Sequence, residues 1–287
     1  MDALIEELIK LAFAEDVGAG DVTTLCCVPP EARGTARLII REDGVLAGVG
    51  MARRIFDLSG QDLRMDVYME DGSDVKKGDV AFTVEGNIRS LLQSERIVLN
   101  VMQRMSGIAT TTRRYVREIK DTGARVLDTR KTMPGMRLMD KEAVRLGGGV
   151  NHRVGLFDMI LLKDNHIDFA GGIANAVSCA RSYLATHKLK MNIEIEVRSL
   201  DELDQVMAVG GVDRIMLDNF SVADTRTAVR KIGGRYETES SGGITLENIR
   251  TYAVTGVDYI SVGALTHSVK GLDMSLKAVC NEGRHSK

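Results

Sequence analysis

Residues 128–166 read DTRKTMPGMRLMDKEAVRLGGGVNHRVGLFDMILLKDNH and join two short apolar runs. Arg130 and Lys131 stand at the end of the first run, and Lys163 stands at the end of the second. The stretch holds nine cationic or imidazole side chains: Arg130, Lys131, Arg137, Lys141, Arg145, His152, Arg153, Lys163 and His166. Because cations at the ends of buried strands are typical of a pocket for a polyanionic ligand, the stretch predicts parallel strands that end at an anion site.

The sequence from about residue 124 onward alternates short β-rich runs with helical segments. Six strands are expected, at 124–129, 159–162, 192–197, 214–217, 236–239 and 259–262. Four helices are expected between them, at 172–187, 200–209, 222–232 and 246–253. This rhythm is typical of βα repeats and predicts the α/β class. Because a complete barrel of this type has eight strands, we expect an incomplete barrel or strands that the pattern does not reveal.

The first third of the chain predicts a smaller, sandwich-like α+β sheet domain. A helix is expected at 2–14, followed by strands at 35–41, 63–69 and 80–85 and a long helix at 88–105. In that long helix, Leu91, Leu92, Val98, Leu99 and Met102 form the predicted apolar face. We therefore divide the chain into an N-terminal α+β domain at 1–110 and a barrel domain at 111–270. The C-terminal tail, 271–287, is expected to pack back on the first domain.

Composition limits the classes of function. The chain has 287 residues, 38 of them basic and 40 acidic, for a net charge of −2. A nucleic-acid-binding protein usually has a strong basic excess, so this balance favours a small anionic ligand instead.

The cysteines and the hydropathy pattern predict a cytoplasmic protein with reduced thiols. The spacing of Cys26, Cys27, Cys179 and Cys280 fits no zinc or redox motif. Residues 1–13 are amphipathic and acidic, unlike a signal peptide, and no apolar run approaches the ~20 residues that a membrane helix needs.

Two glycine-containing turns near the end of the chain predict a phosphate site. Ser241, Gly242 and Gly243 follow one expected strand, and Val262, Gly263 and Ala264 end the next. Glycine lets backbone N–H groups approach an anion, and barrels often bind phosphate with their last loops. Either turn alone would better suit a plain helix cap, whereas the pair favours a phosphate site.

Other polar residues at the strand ends have two interpretations each. Glu196 and Asp218 end neighbouring strands, where they could bind Mg²⁺ or sugar hydroxyls, or pair with a nearby cation. His152 could be an acid, a base, a hydrogen-bond donor or a structural residue, and Arg153 offers a fork for a carboxylate. Arg96 lies at the edge of an apolar helix face, where it must meet an anion or reach water along its stem. Together these features suit the transfer of a phosphorylated sugar to a polyanionic acceptor.

Ordered motifs over nearly the whole chain resemble the quinolinate phosphoribosyltransferase family, the type II phosphoribosyltransferases. The motifs are EDVGAGDVTT (15–24), SERIVLNVMQRMSGIAT (94–110), DTRKTMPGMR (128–137), KEAVRLGGGVNHRVGLFDMILLKDNH (141–166), IEIEV (193–197), IMLDNF (215–220) and ESSGGIT (239–245). The resemblance implies a sheet domain joined to an incomplete, seven-stranded α/β barrel. It also implies that quinolinate and phosphoribosyl pyrophosphate react with Mg²⁺ to give nicotinate mononucleotide, CO₂ and pyrophosphate, in a homodimer whose subunits share active-site residues.

The resemblance also assigns roles to individual residues. Arg96 matches an arginine donated across the dimer to a substrate carboxylate. The residues implied to hold the two quinolinate carboxylates are Arg130, His152, Arg153 and Lys163. Lys131 matches a lysine between quinolinate and the pyrophosphate, whereas Glu196 and Asp218 match carboxylates near the ribose hydroxyls and the metal. The implied 5′-phosphate loops are Ser241, Gly242, Gly243, Val262, Gly263 and Ala264.

Three alternatives compete with this interpretation. A nicotinate phosphoribosyltransferase, or the related protein encoded with molybdate transport genes, needs fewer carboxylate-binding cations than this chain carries. Residues 71–86, DGSDVKKGDVAFTVEG, resemble biotinyl and lipoyl carrier domains but lack an MKM or DKA attachment motif. A catalytically inactive homologue is disfavoured because the family positions that can be placed hold the expected residue types.

Overall fold

The computed structural model describes residues 2–59 and 62–279. The helices of this part are α1 (Asp2–Val17), α2 (Val22–Cys27), α3 (Val49–Leu58), α4 (Ile88–Glu118), α5 (Arg137–Leu146), α6 (Asp164–Ala170), α7 (Ile173–His187), α8 (Leu200–Val209), α9 (Val222–Ile232), α10 (Ile249–Ala253) and α11 (Ala264–His267). The strands are β1 (Arg33–Ile40), β2 (Gly44–Val45), β3 (Arg64–Val67), β4 (Asp74–Val75), β5 (Val80–Asn87), β6 (Arg125–Leu127), β7 (Ile160–Leu162), β8 (Ile193–Val197), β9 (Arg214–Asp218), β10 (Glu237–Ser241), β11 (Tyr259–Ser261) and β12 (Met274–Ala278).

The chain divides into two compact units. Unit 1 comprises Met1–Thr111, Met133–Gly147 and Ser268–Lys287, and unit 2 comprises Thr112–Thr132 and Gly148–His267. Residues 133–147 therefore group with the N-terminal part of the chain, whereas the sequence analysis placed them in the barrel domain.

A buried ion pair explains this grouping. Residues 137–146 form α5, a helix that the sequence analysis did not predict. Its Asp140 is fully buried and accepts two hydrogen bonds from Arg104 of α4, at 2.8 and 2.7 Å. A bidentate contact to a buried carboxylate is strong and directional, so it ties α5 to the long helix of unit 1.

Unit 1 is an antiparallel sheet covered by helices. The sheet order is β12-β1-β5-β3. Alternating residues of β1 and β5, such as Leu38, Ile40 and Phe82, are fully buried, as the two-residue period of a strand requires. The Phe56 ring of α3 meets the Phe82 ring edge-on at 6.2 Å. The C-terminal strand β12 adds to the edge of this sheet next to β1, whereas 280–287, with Cys280, lie outside the described residues.

Unit 2 is a parallel sheet in the order β6-β11-β10-β9-β8-β7. The first strand of this unit, β6, pairs with the last, β11, which is the arrangement that closes a barrel. Between β6 and β7 the described ladder is open, and only Val150 fills the gap, through an isolated parallel bridge to Leu127. The six strands predicted from the sequence are confirmed, whereas a seventh strand, which the resemblance implies, is not among the described strands of this sheet.

Alternation in the strands of unit 2 separates an apolar outside from a polar inside. In β8, Ile193, Ile195 and Val197 pack with helices α7 and α8 in the apolar core of the unit. The intervening Glu194 and Glu196 therefore point to the other face, the barrel interior.

The long helix α4 differs from its predicted form in two respects. It continues to Glu118 rather than ending at Met105, because Gly107 does not interrupt it. Leu92, assigned to the apolar face, is 44% exposed. None of the described helices combines the length and the apolar composition needed to cross a bilayer.

Close packing around Gly107 predicts that replacing this helical glycine by alanine destabilises the protein. A Cβ at this position would lie 2.1 Å from the carbonyl oxygen of Lys270, where the C-terminal segment passes the helix. Ala is normally favoured over Gly inside a helix. We nevertheless expect Gly107→Ala to destabilise the protein by about 2 kcal/mol, because the backbone must move. Urea denaturation measures the change.

Gly50 provides the matched control for this prediction. It also lies in a helix of unit 1, but a Cβ there would be no closer than 3.6 Å to any neighbour, the Asp71 Oδ2 atom. Gly50→Ala should leave the free energy of unfolding unchanged or slightly raise it. Equal denaturation midpoints for the two variants would contradict the packing argument.

Candidate active site

A cavity of about 950 Å³ lies in unit 2 at the carboxyl ends of the parallel strands. Its volume is within the range of small-molecule sites. The lining residues that end or follow strands are Thr129, Arg130, Lys131, Lys163, Asp164, Glu196, Asp218, Asn219, Ser241, Gly242, Gly243, Gly263 and Ala264. The strand-end positions singled out from the sequence therefore come together at one place, as parallel α/β folds require.

Two of the predicted site residues do not line this cavity. Arg96 is an exposed residue of α4 in unit 1. Val262 is buried, and its backbone N–H donates to the Leu127 carbonyl at 3.0 Å, so it fixes the loop rather than facing a ligand. The other predicted residues, including His152 and Arg153, line the cavity.

Four of the nine cationic or imidazole side chains of the stretch 128–166 do not line the cavity. Arg137, Lys141 and Arg145 lie on α5 in unit 1, and Arg145 pairs with Glu142 at 2.6 Å. His166 accepts the backbone N–H of Lys163 at its Nδ1 atom and so closes the first turn of α6.

The remaining cations are crowded. Arg153 is half-buried, and burial together with the charge of nearby Arg130 lowers its pKa. The Nε atom of Arg130 is buried and makes no hydrogen bond to any residue that the structure describes. Two guanidinium groups that repel each other, one with an unused donor, form a site that an anion would stabilise.

Lys163 and Glu196 form a direct ion pair inside the cavity. Glu196 is 7% exposed, and Lys163 is its cationic partner. Of the two interpretations of Glu196 from the sequence, pairing with a neighbouring cation is therefore the one adopted without a ligand. Asp218, on the next strand, accepts a hydrogen bond from the Asn219 side chain at 2.7 Å.

The floor of the cavity contains buried carboxylates that the sequence analysis missed. Glu194 and Glu239 have 0% exposure and lie on the interior faces of β8 and β10. The signal for them was the alternation in IEIEV and ETESS, which places Glu194 beside Glu196 and Glu239 beside Ser241 on one face.

The His152 ring lies against these two carboxylates. Its Nε2 atom is 2.9 Å from Glu194 and 3.4 Å from Glu239, close contacts that are not well aligned as hydrogen bonds. Its Nδ1 atom accepts the backbone N–H of Arg153 at 2.7 Å. His152 lines the cavity, and its predicted contact with a ligand carboxylate stays a prediction.

Opposing effects determine the protonation state of the His152 ring. Burial lowers its pKa, but Glu194 and Glu239 outweigh burial and raise the pKa to about 9. The Arg153 contact acts the other way, because it needs a lone pair on Nδ1. In this geometry the ring therefore holds one proton, on the Nε2 atom that faces the carboxylates.

The carboxylates themselves respond to the same contacts. Burial and the charge of Glu239 raise the pKa of Glu194 to about 7. Burial acts to raise the pKa of Glu239 too, but the His152 contact outweighs it and lowers that pKa below its usual value. Arg214 lies 3.4 Å from Glu239 and adds a second positive charge below the ring.

The turn Ser241–Gly243 has the backbone that a close anion approach needs. Gly242 and Gly243 have φ values of +96° and +62°. A Cβ at Gly242 would lie 2.2 Å from the Asn219 Oδ1 atom, so only glycine fits there. The helix predicted to follow at 246–253 is the short α10, which begins at Ile249. The turn's own amides, rather than a long helix, therefore face the cavity.

Both parts of the sequence match models of one protein family. Residues 21–106 match quinolinate phosphoribosyl transferase, N-terminal domain, and residues 108–277 match quinolinate phosphoribosyl transferase, C-terminal domain.

Named relatives and solved structures agree with these matches. The mitochondrial, decarboxylating quinolinate phosphoribosyltransferase 2b of Nicotiana tabacum is 44% identical over 290 residues, covering 95% of this chain and 82% of that protein. A probable carboxylating nicotinate-nucleotide pyrophosphorylase of Bacillus subtilis (strain 168) is 41% identical over 272 residues, covering 95% and 92%. The solved nicotinate-nucleotide pyrophosphorylase from Francisella tularensis has a TM-score of 0.91 and 40% identity, over 97% of both chains.

The geometry of Gly242 predicts that one methyl group will weaken anion binding. We expect Gly242→Ala to lower the affinity for inorganic phosphate by about tenfold, comparable to the loss of one or two amide hydrogen bonds to an anion. Isothermal titration calorimetry measures this affinity. Gly234→Ala is the control, since Gly234 also has a positive φ of +75° but has open space around it. Equal phosphate affinity of the two variants would exclude the turn as a phosphate site.

Proposed function

The chain belongs to the quinolinate phosphoribosyltransferase family, and we propose that the cavity of unit 2 is the place where it catalyses that family's reaction. The enzyme transfers the phosphoribosyl group of phosphoribosyl pyrophosphate to quinolinate, releases pyrophosphate and CO₂, and forms nicotinate mononucleotide for NAD synthesis. The observation that carries the proposal is the meeting of a crowded cation cluster and a glycine turn in one cavity.

The cation side of the cavity suits the two carboxylates of quinolinate. Arg130 offers a buried donor without a partner among the described residues, and Arg153 is close enough to repel it. A dianion placed between them would relieve this repulsion and satisfy the free donor. Lys163 adds a third cation to this pair once its ion pair with Glu196 is broken. In this scheme His152 supports Arg153 rather than contacting the acceptor.

Lys131 lies between the acceptor side and the phosphate side. Its side chain packs on the loop that contains Gly263, where an added Cβ would come within 3.2 Å of the Lys131 Cδ atom. Its carbonyl accepts a hydrogen bond from Thr266 at 2.9 Å, which fixes the backbone. A cation held there can stabilise the charge of the departing pyrophosphate.

Glu196 and Asp218 fit the Mg²⁺ that the resemblance implies. Mg²⁺ in proteins is usually held by one or two carboxylates together with substrate phosphates and water. Both carboxylates face the cavity, and Glu196 already holds one cation, Lys163. Bound by this pair, Mg²⁺ would neutralise part of the pyrophosphate charge.

The chemistry then follows from charge balance. As the bond from the ribose carbon to pyrophosphate breaks, that carbon becomes oxocarbenium-like, and Glu196 and Asp218 stabilise the positive charge. The pyridine nitrogen bonds to this carbon and becomes cationic. The neighbouring carboxylate leaves as CO₂, and its electron pair stays on the ring carbon, which then takes a proton. The enzyme positions the reactants and needs no covalent nucleophile.

A homodimer in which each subunit donates Arg96 to the other is also proposed. Arg96 is exposed on α4, next to the largely buried residues Ile97, Val98 and Leu99. A long cation on the edge of such a helix can reach a carboxylate in a neighbouring molecule. The predicted cytoplasmic location stays a prediction.

The acceptor is tested by a direct comparison. Purified protein with Mg²⁺ and phosphoribosyl pyrophosphate should form nicotinate mononucleotide from quinolinate, with one CO₂ per product, and none from nicotinate. The crowded guanidinium pair requires the second carboxylate for binding. Chromatography measures the product. Product from nicotinate but not from quinolinate would contradict the assignment of the cation cluster. It would still support the assignment of the phosphoribosyl pyrophosphate site.

The shared site is tested by mixing two inactive variants. Lys131→Ala and Arg96→Ala should each lower turnover of quinolinate by at least about a hundredfold, since each removes a charge from the reacting centre. If Arg96 acts across a dimer, refolding the two variants together should restore about a quarter of wild-type activity, because half of the dimers then hold one intact site.

Lys190→Ala is the control for the loss of a lysine, because Lys190 is exposed and lies outside the cavity. It should retain full activity. Two inactive variants that stay inactive after mixing would exclude donation of Arg96 between subunits.

A further inference from the structure

We propose that Glu194 and Glu239 are positioning residues for the acceptor half of the cavity, where they hold the His152 ring so that its Nδ1 atom anchors the backbone of Arg153. This inference rests on the function proposed above and concerns two buried carboxylates at the cavity floor, of which Glu239 lines the cavity. Neither carboxylate needs to touch the substrate.

The contacts form a continuous path. Glu194 and Glu239 approach the Nε2 atom of His152 at 2.9 and 3.4 Å, from two different strands. The opposite ring nitrogen accepts the Arg153 N–H at 2.7 Å. The Arg153 guanidinium in turn donates to the Met159 carbonyl at 3.3 Å and lines the cavity. A shift of the ring would therefore move the residue that offers its fork to the acceptor.

The segment that contains His152 has little other regular support. It follows the open edge of the sheet, where Val150 makes only an isolated bridge. Asp128 accepts the backbone N–H of His152 at 2.8 Å and the Asn151 amide at 2.6 Å. Buried carboxylates thus hold both the backbone and the ring of His152, at a place where a strand would otherwise use its ladder.

The cost of this arrangement indicates a role in function. Burying a carboxylate is unfavourable unless it is well paired, and interior layers of barrels are usually branched apolar residues. Neither oxygen of Glu194 makes a well-aligned hydrogen bond to a described residue. A merely structural interior would be more stable with an apolar side chain there.

The cluster already has protein partners for both carboxylates. The ligand atoms of His152, Glu194 and Glu239 lie within 4.8 Å of one another, a spacing that a metal ion could also use. Arg214, however, reaches Glu239 from β9, and the ring proton faces Glu194. The positioning role needs no further cation.

Glu194→Gln is the first test, because it keeps the shape and removes the charge. We expect the KM for quinolinate to rise by about tenfold and the KM for phosphoribosyl pyrophosphate to change by less than about twofold, since only the acceptor side loses its alignment. Glu237→Gln is the control. Glu237 lies on the same strand as Glu239 and pairs with Arg214 at 2.8 Å, but it neither lines the cavity nor pairs with His152, so its loss should not affect the KM for quinolinate.

A double-mutant cycle tests whether Glu194 acts through His152. His152→Gln should raise the KM for quinolinate to a similar extent, and the double variant should be no worse than either single variant. Additive effects would mean that Glu194 acts by another route and would overturn the proposal.

The thermal stability gives a readout that a structural role would not share. Glu194 is fully buried, and neither of its oxygens makes a well-aligned hydrogen bond to a described residue. Because burying a poorly paired carboxylate costs stability, Glu194→Gln should melt at an equal or higher temperature than the wild type while its KM for quinolinate rises.

Three results would overturn the inference. They are an unchanged KM for quinolinate in Glu194→Gln, a lower melting temperature with both KM values changed alike, and a stoichiometric metal in the purified protein that this variant loses. An inactive wild type would instead remove the proposed function, so the two failures are distinguishable.

Discussion

Two negative charges buried inside the barrel are the constraint on which the acceptor side of the site depends. Glu194 and Glu239 are both fully buried, and the His152 ring lies against both. Water cannot solvate them there, so the surrounding cations must take fixed positions. Arg214 lies 3.4 Å from Glu239, and the Nε2 atom of His152 lies 2.9 Å from Glu194. The fixed positions of the side chains at the cavity floor follow from these contacts.

The open edge of the barrel makes the position of Arg153 depend on these buried carboxylates. Where the ladder is open, Val150 contributes a single bridge, and Asp128 accepts hydrogen bonds from the Asn151 side chain and from the His152 backbone N–H. A full strand at this position would fix the backbone but would leave no need for a ring anchored by carboxylates. The open edge therefore leaves Arg153 dependent on side-chain chemistry, which allows its position to respond to charge.

Much of this could be predicted from the sequence, and the exceptions have physical causes. Apolar runs with cations at their ends predicted the six parallel strands and placed Arg130, Lys131 and Lys163 at one cavity. Helix α5 was missed because Pro134 and Gly135 hid a pattern that is decided by the burial of Asp140 against Arg104. Glu194 was missed because a glutamate in a strand is read as solvent-facing unless the opposite face is known to be apolar. The partners of the His152 ring depend on three strands that are distant in sequence, which no local pattern can reveal.

The ion pair between Lys163 and Glu196 has an electrostatic consequence for the cavity. The pair joins a side chain that follows β7 to one near the end of β8, so it links two neighbouring strand ends of the cavity. Any group that moves one of the two side chains changes the charge that the other presents to the cavity. The electrostatic character of the two strand ends is therefore coupled through this single contact.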